Sequence, residues 1–212
     1  MIARKSQLST QSSRSGFTII ESLVAIVVVG ILMTAIAPVI ALAVGTRVQA
    51  RRVELATQAA RAYIDGIRSG TITPPTTTVA STTSKYILES APVPTSLASL
   101  YCVDLDNLDG DGISFGDADN GCTSSSVSDL AIQAFRSQVS NDASDPQKGY
   151  KLGVRVYRAD AFSDSTALTK GRTQATFTGG LGNRKAPLVE ITTEIITDQT
   201  QLRDLCDRLG GC

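Results

Sequence analysis

Histidine and tryptophan are absent from this chain of 212 residues, and aromatic residues make up only 5% of it. Without histidine, the chain lacks the commonest general base and the commonest nitrogen ligand of zinc. Without tryptophan, it lacks the largest aromatic surface for stacking nucleic-acid bases. These absences argue against zinc-dependent, histidine-assisted and base-stacking functions.

Net charge is absent too, because 20 Lys and Arg residues balance 20 Asp and Glu residues. With no basic excess, no global field attracts nucleic acid. Asp, Glu and Ser are plentiful, but the sequence does not assemble a nucleophile, a base and an orienting group. We therefore expect a protein that is not an enzyme and does not bind nucleic acid.

Cysteines are few, and none lies in the first hundred residues. Cys102, Cys122, Cys206 and Cys212 include no C-x-x-C pair, which disfavours zinc and redox motifs. An oxidising, exported setting would join them in two disulfides. Four cysteines allow three connectivities, and the sequence does not choose among them.

One long stretch carries no charge: the 25 residues from 22 to 46 are rich in Val, Ile, Leu and Ala. At about 1.5 Å per residue, such a helix spans a hydrocarbon core of about 30 Å. A secretory signal peptide would use Arg4 and Lys5, with Ala41-Leu42-Ala43 as its cleavage site. The apolar region of such a signal is only about 7 to 15 residues long, shorter than this run. A plain anchor leaves Glu21 unexplained, since a carboxylate near the bilayer centre costs about 2.5 to 3.5 kcal/mol.

The residues around Glu21 offer a third explanation. The sequence Arg14-Ser15-Gly16, followed by Phe17-Thr18-Ile19-Ile20-Glu21, resembles the processing site of type IV pilins and pseudopilins. The resemblance implies that a membrane prepilin peptidase cuts between Gly16 and Phe17 and methylates the new amino terminus. Many relatives place a basic residue directly before the glycine, whereas Ser15 intervenes here.

Glu21 would be the fifth residue of the mature chain. The resemblance implies that its carboxylate pairs with the amino terminus of a neighbouring subunit, neutralising both charges in the filament core. Tip pseudopilins often lack this glutamate, so we expect a place in the filament body. Pro38 removes one helical hydrogen bond; pilin helices commonly carry a proline at this distance, although a tolerated membrane-helix kink explains it equally well.

The sequence predicts one helix from about Thr18 to Ser69, ended by Gly70 and the Pro74-Pro75 pair. Its second half is amphipathic, with apolar residues near helical spacing at Val48, Leu55, Ala59, Ala62, Tyr63 and Ile67. The predicted divisions are a leader (1–16), a membrane and filament-core helix (17–45), an amphipathic half (46–70) and a head (71–212). Arg47, Arg51 and Arg52 would touch lipid headgroups or neighbouring subunits, or form a solvated face.

In the head, apolar alternation predicts strands at Lys85 to Glu89, Leu100 to Leu105, Tyr150 to Arg158 and Leu188 to Ile196. Residues 71 to 84 are predicted as a loop, and Asp129 to Val139 as a short helix. The expected fold is α+β and pilin-like, with a long N-terminal helix packed on a small antiparallel β-sheet.

An acidic loop occupies residues 104–119. From Asn107 it matches the start of a calcium-binding loop, with oxygens from Asn107, Asp109, Asp111 and the Ile113 carbonyl. The twelfth position is Ala118 instead of Glu, so Asp117 or Asp119 would have to substitute. A surface turn explains the composition equally well. Calcium is favoured by the resemblance, because related major pseudopilins bind calcium in the head.

Two disulfides would fit the positions of the cysteines. A Cys102–Cys122 disulfide would brace the acidic loop, and a Cys206–Cys212 disulfide would be local.

The resemblance implies a non-catalytic subunit of a periplasmic pseudopilus or a pilus-like filament. Its partners would be other pilin subunits, the prepilin peptidase and the inner-membrane assembly machinery. It would cross the inner membrane once with its head in the periplasm, and the basic leader favours a cytoplasmic amino terminus. The wider resemblance is to pseudopilins of the general secretion pathway, the type II secretion system. Residues 59–70 resemble cyanobacterial pseudopilins of hormogonium polysaccharide secretion. The alternatives are an adhesin or DNA-uptake pilin whose head binds a ligand, and a calcium-stabilised exported domain on an inert anchor.

Overall fold

The computed structural model describes residues 16–80, 87–105, 122–138, 145–174 and 182–209. The chain divides into two compact units, residues 1–43 and 44–212. The elements in chain order are α1 (Ile19–Arg68), β1 (Thr78–Ala80), α2 (Ile87–Ser90), β2 (Tyr101–Val103), β3 (Leu130–Gln138), β4 (Tyr150–Arg158), β5 (Val189–Ile195) and α3 (Leu202–Leu209).

The second half of α1 packs on the sheet of the head. Its buried residues are Gln49, Ala56, Ala59, Ala60, Tyr63, Ile64 and Ile67. The predicted apolar face was therefore only partly right, because Val48 is 45% exposed and Ala62 is exposed. Ala56 and Ala60 are fully buried, and their small side chains let the helix backbone approach the sheet closely. Alanine gives a weak hydrophobic signal in sequence, which explains the shift of face.

The C-terminal end of α1 lies where the glycine and prolines predicted it. Gly70 has φ 76° and donates its backbone N–H to the Ile67 carbonyl at 3.1 Å. The Ile72 N–H reaches back to the Gly66 carbonyl at 3.0 Å. These bonds satisfy carbonyls that the last helical turn leaves unpaired. The Ile72 side chain lies directly over Gly66, where a Cβ would meet it at 2.5 Å.

The five strands form one mixed sheet in the order β1-β3-β4-β5, with β2 also paired to β3. The β2–β3, β3–β4 and β4–β5 pairs are antiparallel, and the short β1 runs parallel to the end of β3. The predicted α+β, pilin-like fold is confirmed, with one parallel pairing added to the expected antiparallel sheet.

Both faces of the sheet are covered. Alternate residues of β4, namely Tyr150, Leu152, Val154 and Val156, join α1 in the main core. On the opposite face Phe135 forms a second cluster with Val79, Ile87 and Ala91. The Phe135 ring occupies the space above Gly153, where a Cβ would meet it at 2.3 Å. The central strands are therefore buried on two sides.

The helix predicted for Asp129 to Val139 was wrong, because β3 occupies Leu130–Gln138. Ile132 faces α1 while Phe135 faces the second cluster. Apolar residues on both faces hide the two-residue alternation that identifies a strand, and the run then resembles a helix. Pairing along both edges of β3 overrides that local pattern.

The remaining predictions for the head divide between confirmed and wrong. The β4 bounds are as predicted, while β2 and β5 fall within the predicted ranges. The strand predicted at Lys85 to Glu89 begins outside the described residues, and its described part was wrong, since Ile87–Ser90 forms one helical turn. Residues 78–80 were predicted as part of a loop, but they form β1, which pairs with β3. The sequence did not predict α3.

Candidate functional site

The predicted processing site lies just ahead of the first turn of α1. Gly16, Phe17 and Thr18 are not helical, and the Phe17 side chain is 81% exposed. The Thr18 hydroxyl accepts a hydrogen bond from the Glu21 N–H at 3.3 Å, so Thr18 is the N-cap. The bond between Gly16 and Phe17 thus lies outside the helix, between two exposed residues.

Glu21 occupies the third helical position after this cap. Thr-x-x-Glu is the capping-box pattern, and a carboxylate in the first turn also favours the helix dipole. The sequence carried this signal, but the prediction overlooked it. The charge of Glu21 therefore also favours the N-terminal end of α1, apart from the predicted pairing with another subunit.

The first half of α1 presents apolar side chains all around. The helix is long and apolar enough to cross a membrane, and none of its most apolar window is buried. Its hydroxyls are satisfied inside the helix: Ser22 donates to the Ile19 carbonyl at 2.7 Å and Thr34 to the Ile31 carbonyl at 2.9 Å. This arrangement suits lipid or other apolar helices, which offer no hydrogen bonds in return.

Pro38 lies inside α1, and the helix continues through it. Proline has no N–H, so the carbonyl four residues earlier, at Thr34, loses its helical donor. The structure places Pro38 in the apolar half as predicted.

The acidic loop enters from Leu105 and leaves at Cys122, and its two ends are held together in two ways. Cys102 and Cys122 form a disulfide with their Cα atoms 5.5 Å apart. Asp129, 3% exposed, accepts hydrogen bonds from the Leu105 N–H and the Thr123 N–H, each at 3.4 Å. We call the disulfide and the Asp129 carboxylate together the loop clamp.

The predicted calcium ligands Asn107, Asp109, Asp111, Ile113, Asp117 and Asp119 lie outside the described residues. Within the described ranges, no three His, Cys, Asp or Glu side chains come together as a metal site. Cys206, in α3, is disulfide-bonded. Cys212 lies outside the described residues.

A family comparison bears on the N-terminal segment. The prokaryotic N-terminal methylation motif matches residues 11–37, a range that contains Gly16, Phe17 and Glu21. The chain carries the signature of type IV pilin and pseudopilin precursors. No curated protein and no solved structure matches the chain. The motif supports a pilin-class structural subunit that is processed by prepilin peptidase and assembles with other pilin subunits.

In the head, sequence reasoning missed Arg155. Its side chain is fully buried on the sheet face opposite α1, and its Nε donates to Glu190 Oε1 at 2.9 Å. Its Nη1 donates to the Ala91 carbonyl at 3.2 Å and to Gln133 Oε1 at 3.1 Å, and the guanidinium lies 5.2 Å from the centre of the Phe135 ring. Arg155 thus ties residues 91–92 to the sheet. Strand alternation marked it as an outward position, without showing that another segment covers that face.

Removing the loop clamp should destabilise the head in a way that is less than additive. Replacing Cys102 and Cys122 by serine should cost about 3 kcal/mol, given the separation of 20 residues. Asp129→Ala should cost about 1 to 3 kcal/mol, because two amides lose their acceptor. With both removed, the freed loop ends regain water, so the combined loss should be smaller than the sum.

Denaturant unfolding of the full-length chain in detergent measures these losses. Asp65→Ala, which removes an exposed carboxylate from α1, is the control and should change stability by less than about 0.5 kcal/mol. Additive losses for the disulfide and Asp129 would show that the two do not act on the same loop ends.

Proposed function

We propose that this chain is a non-catalytic pseudopilin subunit that assembles through its apolar helix into a periplasmic pseudopilus or type IV pilus-like filament. The observation that carries the proposal is the methylation motif at residues 11–37, which overlaps the start of the long apolar helix α1. A simple anchor needs the apolar helix alone. The motif adds the processing signal that a filament subunit requires.

Prepilin peptidase would cut between Gly16 and Phe17, and the new amino terminus would be methylated. Two features support this site: both residues precede α1, and Phe17 is exposed. Because the bond is not inside the helix, the enzyme can reach it without first unwinding hydrogen-bonded backbone.

Glu21 would pair with the amino terminus of a neighbouring subunit in the filament. The physical reason is the cost of burying a lone carboxylate among apolar helices, which an adjacent cation offsets. The local alternative is the capping box with Thr18. The two roles differ in what they need, because pairing requires charge whereas capping requires only a side chain that can hydrogen-bond.

Replacing Glu21 by glutamine separates these roles. Glutamine keeps the capping-box pattern but carries no charge, so we expect membrane insertion and helix formation to persist while filament incorporation falls by about tenfold or more. The expected loss corresponds to an ion pair of about 1.4 kcal/mol or more. Filament incorporation is measured by shearing and sedimentation of cells that express the variant.

The control is Glu54→Gln, which removes an exposed carboxylate from the second half of the same helix. It should leave incorporation unchanged. Normal incorporation of the Glu21→Gln subunit would contradict the ion-pair role, and would leave capping as the function of Glu21.

The head would lie in the periplasm, with the leader on the cytoplasmic side. The Cys102–Cys122 disulfide supports an oxidising location for the head. The inner-membrane assembly machinery would be a further partner. Polysaccharide is the cargo class proposed from the resemblance of residues 59–70, through a machine related to type II secretion.

We also propose a structural calcium ion in the acidic loop. The loop clamp supports it, because ends held together by the disulfide and by Asp129 lower the entropy lost when the loop closes on a metal. The proposed ligands are the oxygens of Asn107, Asp109, Asp111 and Ile113, with Asp117 or Asp119.

Calcium should raise the melting temperature of the head by about 5 to 10 °C at a concentration about 100 times its Kd. Thermal melting of the full-length chain with calcium or with chelator measures the shift. Asp109→Asn with Asp111→Asn should abolish it, while Asp65→Asn with Asp198→Asn, two exposed carboxylates elsewhere, should preserve it. Equal melting temperatures with and without chelator would remove calcium from the account.

A further inference from the structure

Three arginines, Arg47, Arg51 and Arg52, are the first charged residues after the apolar run. The structure separates Arg52 from the other two. Burial lowers the pKa of Arg52, Arg158 lowers it further, and Asp160 opposes the shift. Arg158 and Asp160 form an ion pair of the head. Arg52 is half-buried and lies within electrostatic reach of this ion pair.

Arg47 and Arg51 are exposed and stand one helical turn apart, so their side chains lie on one face of α1. Among the described residues, neither forms an ion pair or a side-chain hydrogen bond. At the far end of the same helix, by contrast, Arg68 pairs with Asp65 and donates to the Thr193 hydroxyl. Like charges at this spacing repel one another, and an anion beside them would relieve that repulsion.

The position of the two arginines suggests which anion this is. The 25 uncharged residues before Arg47 form about 38 Å of helix, slightly more than a hydrocarbon core of about 30 Å. A membrane helix tilts by about 20° on average, and long arginine side chains reach toward the interface. Arg51 lies about 6 Å further along the helix axis. If the apolar run spans a bilayer, both guanidinium groups would therefore reach the layer of lipid headgroups.

We propose that Arg47 and Arg51 bind anionic phospholipid headgroups in the leaflet next to the head. The inference rests on the membrane anchoring in the proposed function. A guanidinium donates paired hydrogen bonds to phosphate oxygens, and a headgroup offers those oxygens at this depth. The arginine pair would hold the subunit at a fixed depth in the bilayer before it enters a filament.

Spin-labelled lipids test this surface in the intact protein. The full-length chain is placed in phosphatidylcholine vesicles, and its preference for spin-labelled phosphatidylglycerol over spin-labelled phosphatidylcholine is measured. Replacing both arginines by glutamine should reduce the preference at least twofold, and by up to about fivefold for each arginine. High salt should reduce the preference of the unmodified chain in the same direction.

Arg61→Gln is the matched control, since Arg61 is also exposed on α1 but lies about 15 Å beyond Arg51 along the helix. It should leave the lipid preference unchanged. An unchanged preference in the double variant, or an equal fall in Arg61→Gln, would overturn the proposal. The proposal would also be overturned if the double variant lost filament incorporation but kept its lipid preference, because the partner of the two arginines would then be a neighbouring subunit.

The lipid measurement is independent of filament assembly. Glu21→Gln should keep the lipid preference of the unmodified chain even where it fails to enter filaments. A failure of the headgroup proposal is therefore distinguishable from a failure of the pseudopilin proposal. Since both arginine side chains are exposed, the double variant should unfold at the same denaturant concentration as the unmodified chain.

Discussion

The helix α1 is 50 residues long, and its two halves need different surroundings: an apolar one for the first half and the sheet of the head for the second. The rest of the structure depends on this constraint. Its first half carries apolar side chains on every side and satisfies its own hydroxyls, so it needs lipid or other apolar helices around it. Its second half narrows the apolar surface to one stripe, and small residues such as Ala56 and Ala60 bring it against the sheet. The boundary between the two halves lies at Arg47, the first charged residue after the apolar run.

The sheet of the head is buried on both faces. One face packs against α1, and the other packs against the segment around Ile87 and Ala91. Arg155 connects this segment to the strands through its hydrogen bond to the Ala91 carbonyl. A buried charge is costly unless it is paired and hydrogen-bonded, and Arg155 has Glu190 and several oxygens as partners. The same face holds the short helix α2. The loop clamp holds the two ends of the acidic loop together next to the start of β3.

The long helix, its C-terminal end and the strand β4 could be predicted because each depends on a strong local sequence pattern. The long uncharged run, the Gly70 stop and the alternation from Tyr150 to Arg158 depend on near neighbours, and the structure agrees with them. The Phe17 to Glu21 motif is equally local, and the family comparison supports it. The misses arise from distant residues. Both faces of the strand β3 are buried because distant parts of the chain cover them. Asp129 and Arg155 likewise acquire partners that lie well away in sequence.

The central claim is that this chain is a precursor whose mature form begins at Phe17. Mass spectrometry of the membrane-embedded protein from cells that contain prepilin peptidase tests it most directly, because one spectrum reports both the cleavage point and the methyl group. The account predicts an N-methylated Phe17 as the first residue, with Glu21 fifth. A chain that still begins at Met1 despite an active peptidase, or one cut after Ala43 by a signal peptidase, would contradict it.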